Sequence, residues 1–468
     1  MRIVMKFGGG LLTSGPRIAH SAGLVSDEIE RGGEVVVVVS AMGGVTDRLL
    51  RAIELLRARD QDFDIDGFCE EMRVAHGEAA RSSVSGDELK GAMEDLDELI
   101  AMLGETLEGY AESSSDLLAD EIVSMGERLC ASIFSRTLRS VGLDSRPLLG
   151  GEAGVITDSN HPGASPRMDI CRMTVMERTG SLLEAGVTPV VTGFVGEDER
   201  GHTTTLGRGG SDFSASIIGS CLGADEIWIW KSVGGIMTAN PEMVPEARTI
   251  PGLSYVEAAE LAHFGAKVLH PKTMGPALEN HIPIRVKDAN RPLDDGTLIT
   301  ERTTSVPGTV KAVTSVESVG LISVYGTEMA GVPGVAARIF DALAAARVNV
   351  MMISQSSSET NITIVVPEDD LPICRESLGR EFRGNDLVSD ISYDEEISIV
   401  SVVGSGMRGT PGVAAKVFQS VAEAGVNVVM IAQGSSEVNI SFVVERRDAE
   451  RAVSSIHRHF DLGGRLGG

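Results

Sequence analysis

Two glycine-rich segments carry the cations that chemistry on an anion needs. Lys6-Phe7-Gly8-Gly9-Gly10 closes an apolar run that begins at Arg2. Thr205-Leu206-Gly207-Arg208-Gly209-Gly210-Ser211-Asp212 leads into a helical pattern that starts near Ser211. Glycines let a backbone approach an anion closely, and Lys6 adds a point charge at the same place. In the second segment a helix N-terminus sets its dipole and free N–H groups beside Arg208. Neither is a Walker A loop, because G-x-x-x-x-G-K-[ST] is absent. Two anion-gripping turns at the ends of parallel strands suggest phosphate transfer between two anionic substrates; the plain alternative for the first is a glycine turn with no ligand.

Other candidates carry less. Gly404-x-Gly406-x-x-Gly409, with Glu423 beyond it, satisfies a dinucleotide fingerprint in name only. An equivalent loop, Gly326 to Gly331, lacks the middle glycine, so a tight strand-to-helix turn is the simpler account; its backbone N–H groups could grip a small carboxylate. Glu127 and Arg128 lie on a helical pattern and, taken alone, read as a solvated face. Lys231 ends an apolar strand, where it either faces a nucleotide or sits on the sheet rim. His263 and His270 read as packing and turn residues. No Ser-His-Asp or Cys-His arrangement points to a general base. The five cysteines (Cys69, Cys130, Cys171, Cys221, Cys374) are scattered and never spaced C-x-x-C, which gives no zinc site and no disulfide framework.

The elements that must position these residues come from 468 residues, enough for two to four domains. A formal charge of −26 argues against a nucleic-acid partner. Of 41 basic residues only 8 are Lys, so each lysine draws attention; an acidic, Lys-poor surface fits a salt-adapted cytoplasm or a GC-rich genome. No apolar stretch approaches the ~20 residues of a membrane helix, and Met1-Arg2-Ile3-Val4 runs straight into a strand with no signal peptide before it. A soluble cytoplasmic protein without membrane association is expected.

Residues 319–366 and 397–444 are repeats at a constant offset of 78, with Gly326 on Gly404, Phe340 on Phe418, Asn349 on Asn427, Gln355 on Gln433 and Asn361 on Asn439. Each copy reads strand, glycine loop, amphipathic helix, strand, Ser-rich turn, strand, and a second helix follows: βαββαβ. The first 300 residues differ. Continuous apolar strands such as Val35–Val39 and Pro189–Thr192 imply a sheet buried on both faces. Helical segments at about Pro16–Arg31, Asp47–Arg57, Leu117–Val141 and Met168–Ala185 lie between them. The fold class is therefore α/β, a largely parallel sheet between helices followed by two small βαββαβ domains. The charged stretch 60–115 reads as a peripheral helical insertion. The boundaries fall at 1–303 for the first domain, 304–316 for a linker with an extra strand (Thr309–Val316), 317–392 and 393–464. Pairing that strand with the second repeat would interleave the small domains.

In this order the segments KFGG, VVVVSAMGGVTD, MGERLCA, TLGRGGSD, LSYVEAAELAHFGAKVLHPKT and the duplicated SSE-x-N-I resemble the aspartate kinases of the monofunctional type. These have an amino-acid-kinase domain and two C-terminal ACT domains, and the likeness spans nearly the whole chain. The resemblance implies ATP-dependent phosphorylation of the L-aspartate β-carboxylate, with Mg²⁺, in the first step of lysine, threonine and methionine biosynthesis. It implies Lys6, Asp212 and Lys267 as catalytic residues, with Asp212 orienting the lysines and Lys267 reaching the nucleotide phosphates. Ser40, Thr46, Glu127, Phe194, Arg208 and Ser211 would bind aspartate, Glu127 through its ammonium and Arg208 through its carboxylate. Lys6, Gly8, Gly9, Gly10, Lys231, Ser232, Met237 and Lys267 would bind ATP. No residue is assigned to hold a metal.

ACT domains further imply an amino-acid effector, threonine or lysine, held near Met329, Val335, Asn349 and Gln355 and near Met407, Val413, Asn427 and Gln433. They also imply a homodimer or homotetramer through the ACT domains. Three departures fall on the nucleotide side: Gly10 where many members have Ser, Ser232 where an Asp is usual, and Glu242 in place of an Arg. The alternatives they leave are a paralogue acting on another small carboxylate and a catalytically weak amino-acid sensor. Only about twenty residues follow the repeats, which predicts no fused homoserine dehydrogenase.

Overall fold

The computed structural model describes residues 1–265, 269–302, 306 and 308–464. The chain divides into two units, the first made of Met1–Ile236, Pro251–Ala259 and Lys267–Thr303. Its elements begin with β1 (Arg2–Phe7), α1 (Gly15–Glu30), β2 (Glu34–Val39) and α2 (Val45–Arg57). The charged stretch forms α3 (Ile65–Ser83) and α4 (Glu88–Ser113), and α5 (Asp116–Ser140) follows. Then come β3 (Ser145–Leu148), β4 (Ile156–Thr157), α6 (Met168–Val175), a π turn (Met176–Gly180) and α7 (Ser181–Glu184). After β5 (Thr188–Thr192), β6 (Val195–Asp198) and β7 (Thr203–Thr205) the chain enters α8 (Gly210–Leu222) and β8 (Glu226–Lys231). The last elements are β9 (Gly252–Ser254), α9 (Tyr255–His263), α10 (Met274–Glu279), β10 (Ile284–Asp288) and β11 (Thr297–Thr300).

The main sheet has the order β3-β5-β2-β1-β8-β10-β11-β9, parallel throughout except where β11 runs against β10. Val35 to Val39 are all at or near complete burial, as a strand covered on both faces requires. Val35, Val37 and Val39 face the cluster built by α1 and α3–α5, and Leu96, Leu103 and Tyr110 belong to it, so the stretch expected to be peripheral helps build the core. Register aligns the carboxyl ends of four neighbouring strands, because Phe7 pairs with Val39 and with Trp230, and Val39 pairs with Thr192. The turns after β1, β2 and β5 therefore emerge side by side, the usual place for a ligand crevice in an open α/β sheet.

The second unit comprises Met237–Ile250, Glu260–Ala266 and Thr304–Gly468. It contains β12 (Ala312–Tyr325), α11 (Val335–Ala345), β13 (Met352–Gln355), β14 (Asn361–Pro367) and α12 (Leu371–Glu381). The second copy supplies β15 (Asp390–Val403), α13 (Val413–Glu423), β16 (Met430–Ala432), β17 (Asn439–Glu445) and α14 (Ala449–His459). One six-stranded sheet, β13-β14-β12-β15-β17-β16, joins the copies. The residues expected to form an extra strand are, from Ala312 on, continuous with the first strand of the repeat. Ala312–Val316 pair with Ile399–Val403 of the other copy, the register shifts between Val316 and Leu321, and Val319–Tyr325 continue along β15 to Asp390 while pairing with β14 on their other edge. A bulge of this kind inserts an extra residue and bends the strand without ending its pairing. Linker residues 303–305 and 307 lie outside the described residues. The duplicated Ser-Ser-Glu has one function in both copies: Glu359 accepts from Gly331 N–H at 2.9 Å and Glu437 from Gly409 N–H at 2.7 Å. The glycine loop of each repeat thus already carries an internal carboxylate.

Candidate active site

The turns after β1 and β2, the start of α8 and one face of α5 enclose a cavity of about 470 Å³. Lys6, Gly9, Gly10, Ser40, Thr46, Glu127, Phe194, Arg208, Ser211 and Asp212 all line it. At its floor Lys6 Nζ lies 2.6 Å from Asp212 Oδ1, with both side chains more than nine-tenths buried. Lys231 Nζ lies 3.3 Å from Asp212 Oδ2. Asp212 sits in the first turn of α8, where the helix dipole favours a carboxylate. Burial opposes its charge, but the two lysines outweigh burial and hold the carboxyl below its usual range. Burial lowers the affinity of Lys6 for its proton against the opposing pull of Asp212. Two cations sharing one carboxylate leave one positive charge at this end of the cavity.

The opposite polarity stands on α5. Gly126 brings that helix against the turn after β2, since a Cβ there would lie 2.8 Å from Ala41 Cβ. The approach places the Ala41 N–H on the Glu127 carboxyl, whose Oε2 stays buried without a hydrogen-bond partner. Burial pushes the Glu127 carboxyl up to about 8, against the backbone N–H bonds and the attraction of Lys6. A buried carboxyl oxygen with no donor costs roughly 1–3 kcal/mol, which makes Glu127 a candidate to receive a donor from outside the chain.

The turn bearing Arg208 is held from behind. Gly207 and Gly209 have φ of +74° and +73°, and a Cβ at Gly209 would overlap the His270 ring. Asp120 accepts from Thr205 Oγ1 at 2.7 Å and Thr205 N–H at 3.3 Å, and its Oδ2 lies 2.6 Å from His161 Nδ1. Gly163 and Ala164 N–H groups donate to the Thr205 carbonyl from the other side. Burial raises the Asp120 carboxyl against these hydrogen bonds. Phe194 has φ +68°, held by its N–H to Ser214 Oγ at 2.9 Å and its carbonyl to Leu206 N–H at 2.9 Å. A bulky side chain in that region is strained and persists only where neighbours fix it, as happens at ligand sites.

Some candidates lie elsewhere. Gly8 is outside the lining, Lys231 reaches the cavity through Asp212, and Ser232 is exposed beyond the end of β8. Met237 groups with the second unit, where it bridges to Thr249. Lys267 lies outside the described residues. Of the effector candidates, Met329, Val335, Met407 and Val413 are core side chains of the repeats, whereas Asn349, Gln355, Asn427 and Gln433 are exposed. The lining also takes in Ala41, Met42, Gly43, Gly44 and Asp47, from a segment in which only Ser40 and Thr46 drew attention. Among the described residues no group of three His, Cys, Asp or Glu could hold a metal ion.

Residues 1–288 match the model of the amino acid kinase family, and residues 322–382 and 400–460 match an ACT domain model. Aspartokinase 2 of Arabidopsis thaliana is 34% identical over 98% of this chain and 84% of its own length. A bifunctional aspartokinase/homoserine dehydrogenase of Zea mays is also 34% identical over 98% of this chain but only 50% of its own; the chain spans about half the length of such bifunctional relatives. E. coli aspartokinase III, solved with aspartate and ADP in an R-state, superposes with a TM-score of 0.83 at 27% identity over 98% of this chain and 99% of that one. Its T-state, solved with lysine and aspartate, gives 0.80 at the same identity and coverage. Among the described residues no helix is long and apolar enough to cross a membrane.

Proposed function

From the premise that this chain belongs to the aspartokinases of the amino acid kinase family, we propose that it transfers the γ-phosphoryl group of ATP to the β-carboxylate of L-aspartate. The observation that carries this reading is the buried, partnerless Glu127 carboxyl oxygen in the same cavity as Arg208 and the Lys6–Asp212 pair. One carboxylate for an ammonium and one guanidinium for an α-carboxylate select a free α-amino acid. An N-acylated substrate would leave Glu127 unpaired. Phe194, Ser40, Thr46 and Ser211 line the same cavity.

The substrate carboxylate, with an ordinary pKa of about 3.9, is already an anion at neutral pH and needs no general base. One of its oxygens forms the bond to the γ-phosphorus as the bond from that phosphorus to the β,γ-bridging oxygen breaks, giving 4-phospho-L-aspartate and ADP. The difficulty is the meeting of two anions, so the work is positioning and charge compensation. Lys6 and Lys231 supply fixed positive charge, and Asp212 holds both at the end of the cavity where the turn of Gly8–Gly10 can cradle phosphate. Lys267 takes the role that the family motif implies. Magnesium, when bound, screens the phosphate oxygens.

The same family reading makes the ACT pair a feedback site for lysine or threonine, with the exposed Asn349, Gln355, Asn427 and Gln433 as contacts. We also propose that the enzyme acts in the cytoplasm. The edge strands β13 and β16, whose Met352 and Met430 share one core cluster, leave Ile353 and Ile431 each 49% exposed, which supports assembly with a second copy. The test is aspartate-dependent hydroxamate formation with Mg-ATP and hydroxylamine, at low and high potassium chloride, with and without lysine or threonine. Glutamate and N-acetyl-aspartate serve as competitors. Hydroxamate from aspartate alone is expected; none from folded protein at either salt would refute the reading.

A further inference from the structure

A second cavity, of about 400 Å³, lies in the same unit between α4, α5 and β3. It uses a different face of α5: Arg128, Ala131, Ser132, Ser135, Arg136 and Arg139 all line it. Their spacing of i, i+3, i+4, i+7, i+8 and i+11 is one continuous helical stripe. Leu99, Met102, Ala131, Pro147 and Leu148 give it a largely apolar wall.

Most of its charge is already matched. Asp95 pairs with Arg136 Nε at 2.9 Å and accepts from Ser132 Oγ at 3.0 Å, while Arg136 also reaches Glu88 at 2.8 Å. Arg128 pairs with Glu121 at 2.6 Å and donates to Thr203 Oγ1 at 3.1 Å. Two donors remain. Arg128 is 8% exposed and its Nε is buried with no partner. Arg139 spends only Nε, on the Ser145 carbonyl at 2.7 Å, and no carboxylate pairs with its terminal amino groups among the described residues. The acids Glu98 and Glu152 are exposed at the rim. An interior with one unmatched guanidinium, one orphaned buried donor and an apolar wall suits a single anionic group on an apolar body. The rim acids disfavour a dianion, and the size falls within the ordinary range for a small organic ligand.

We propose that this cavity is a second ligand site on the kinase unit, taking a small monocarboxylate with an aromatic or long aliphatic body. It shares two walls with the catalytic cavity. Glu127 and Arg128 are adjacent on α5 but line different cavities, and Thr192 of β5 lines this one while Phe194, two residues on, lines the other. Occupancy therefore bears on the two elements that would hold aspartate.

The probe is 3-phenylpropanoate, titrated calorimetrically into the full chain without aspartate or ATP. L-Phenylalanine tests whether the natural source carries an ammonium that the rim acids read, and 3-phenylpropan-1-ol removes the charge. One site per chain is expected for at least one of the two carboxylates, with at least tenfold weaker binding in R139Q, in the pocket-filling L149W, and for the alcohol. No binding of either carboxylate, or equal binding by wild type and both variants, overturns the site. A second readout, an aspartate KM changed at least twofold by the probe in wild type and not in R139Q, rests on the proposed role of Glu127. Because the titration contains no substrate, a failed site and a failed reading of Glu127 give different results; binding with an unchanged KM overturns the coupling alone.

Discussion

On the proposed function, Glu127 makes aspartate binding a proton-release reaction. With its carboxyl raised to about 8 by burial, roughly nine-tenths of empty sites hold the neutral acid at pH 7. A neutral acid cannot pair with an ammonium, so binding must expel about 0.9 proton at pH 7, falling to about 0.1 at pH 9. Ionising the group at pH 7 costs about 1.4 kcal/mol, which makes aspartate affinity about tenfold weaker than its plateau above pH 8. The affinity rises about tenfold per pH unit between 6 and 7 and flattens past 8. Calorimetry in phosphate and in Tris, whose ionisation enthalpies differ, reads the proton count directly. Glu127→Gln abolishes both the slope and the release, and above pH 8 it binds aspartate about a hundredfold or more weakly, because the substrate ammonium is then buried without its charge partner. The reasoning is refuted if no proton leaves at pH 7, or if the Gln variant keeps the wild-type slope.

The same raised carboxyl shapes the stability of the empty protein. A carboxyl whose folded pKa exceeds its unfolded value costs nothing below pH 4.5, and the cost grows up to pH 8 and then levels off. Glu127→Gln should accordingly melt several degrees higher than wild type at pH 8 and within a degree of it at pH 4.5, by calorimetric scanning. Lys6→Met leaves Asp212 paired with Lys231 alone and removes the charge at the phosphoryl end. Initial rates should show kcat reduced about 10²–10³-fold, with a much smaller change in aspartate KM. Asp120→Asn loosens the turn behind Arg208 without touching the cavity. Steady-state kinetics should show aspartate KM raised about tenfold and kcat changed less, and the melting temperature falls by a few degrees for roughly 1–3 kcal/mol of lost hydrogen bonding.

What could be read in the sequence divides along a physical line. The 78-residue repeat, the buried valine strand and the two glycine turns are local patterns, and each stands where its pattern placed it. Lys6 and Arg208 were legible because a cation beside a glycine turn is a chemical statement in itself. The donor to Glu127 was not, because it is the backbone N–H of Ala41, and a backbone donor leaves no residue-type signature. Asp120 and His161 lie 41 residues apart and meet only through the fold. The pairing of β12 with β15 across the two copies was half visible, since alternation shows that a segment is a strand but not which neighbour completes it. Lys231 shows the same limit: rim and nucleotide pocket were equal readings until Asp212 appeared 3.3 Å away. The arginine stripe on α5 is the sharpest case. A run of Arg, Ser and Ala at helical spacing is what a solvated face looks like, and only the packing of α4 and β3 over it turns that face into the wall of a cavity. Charge on a helix becomes informative when the fold covers it and leaves a donor unmatched, which is the condition that Arg128 and Arg139 meet.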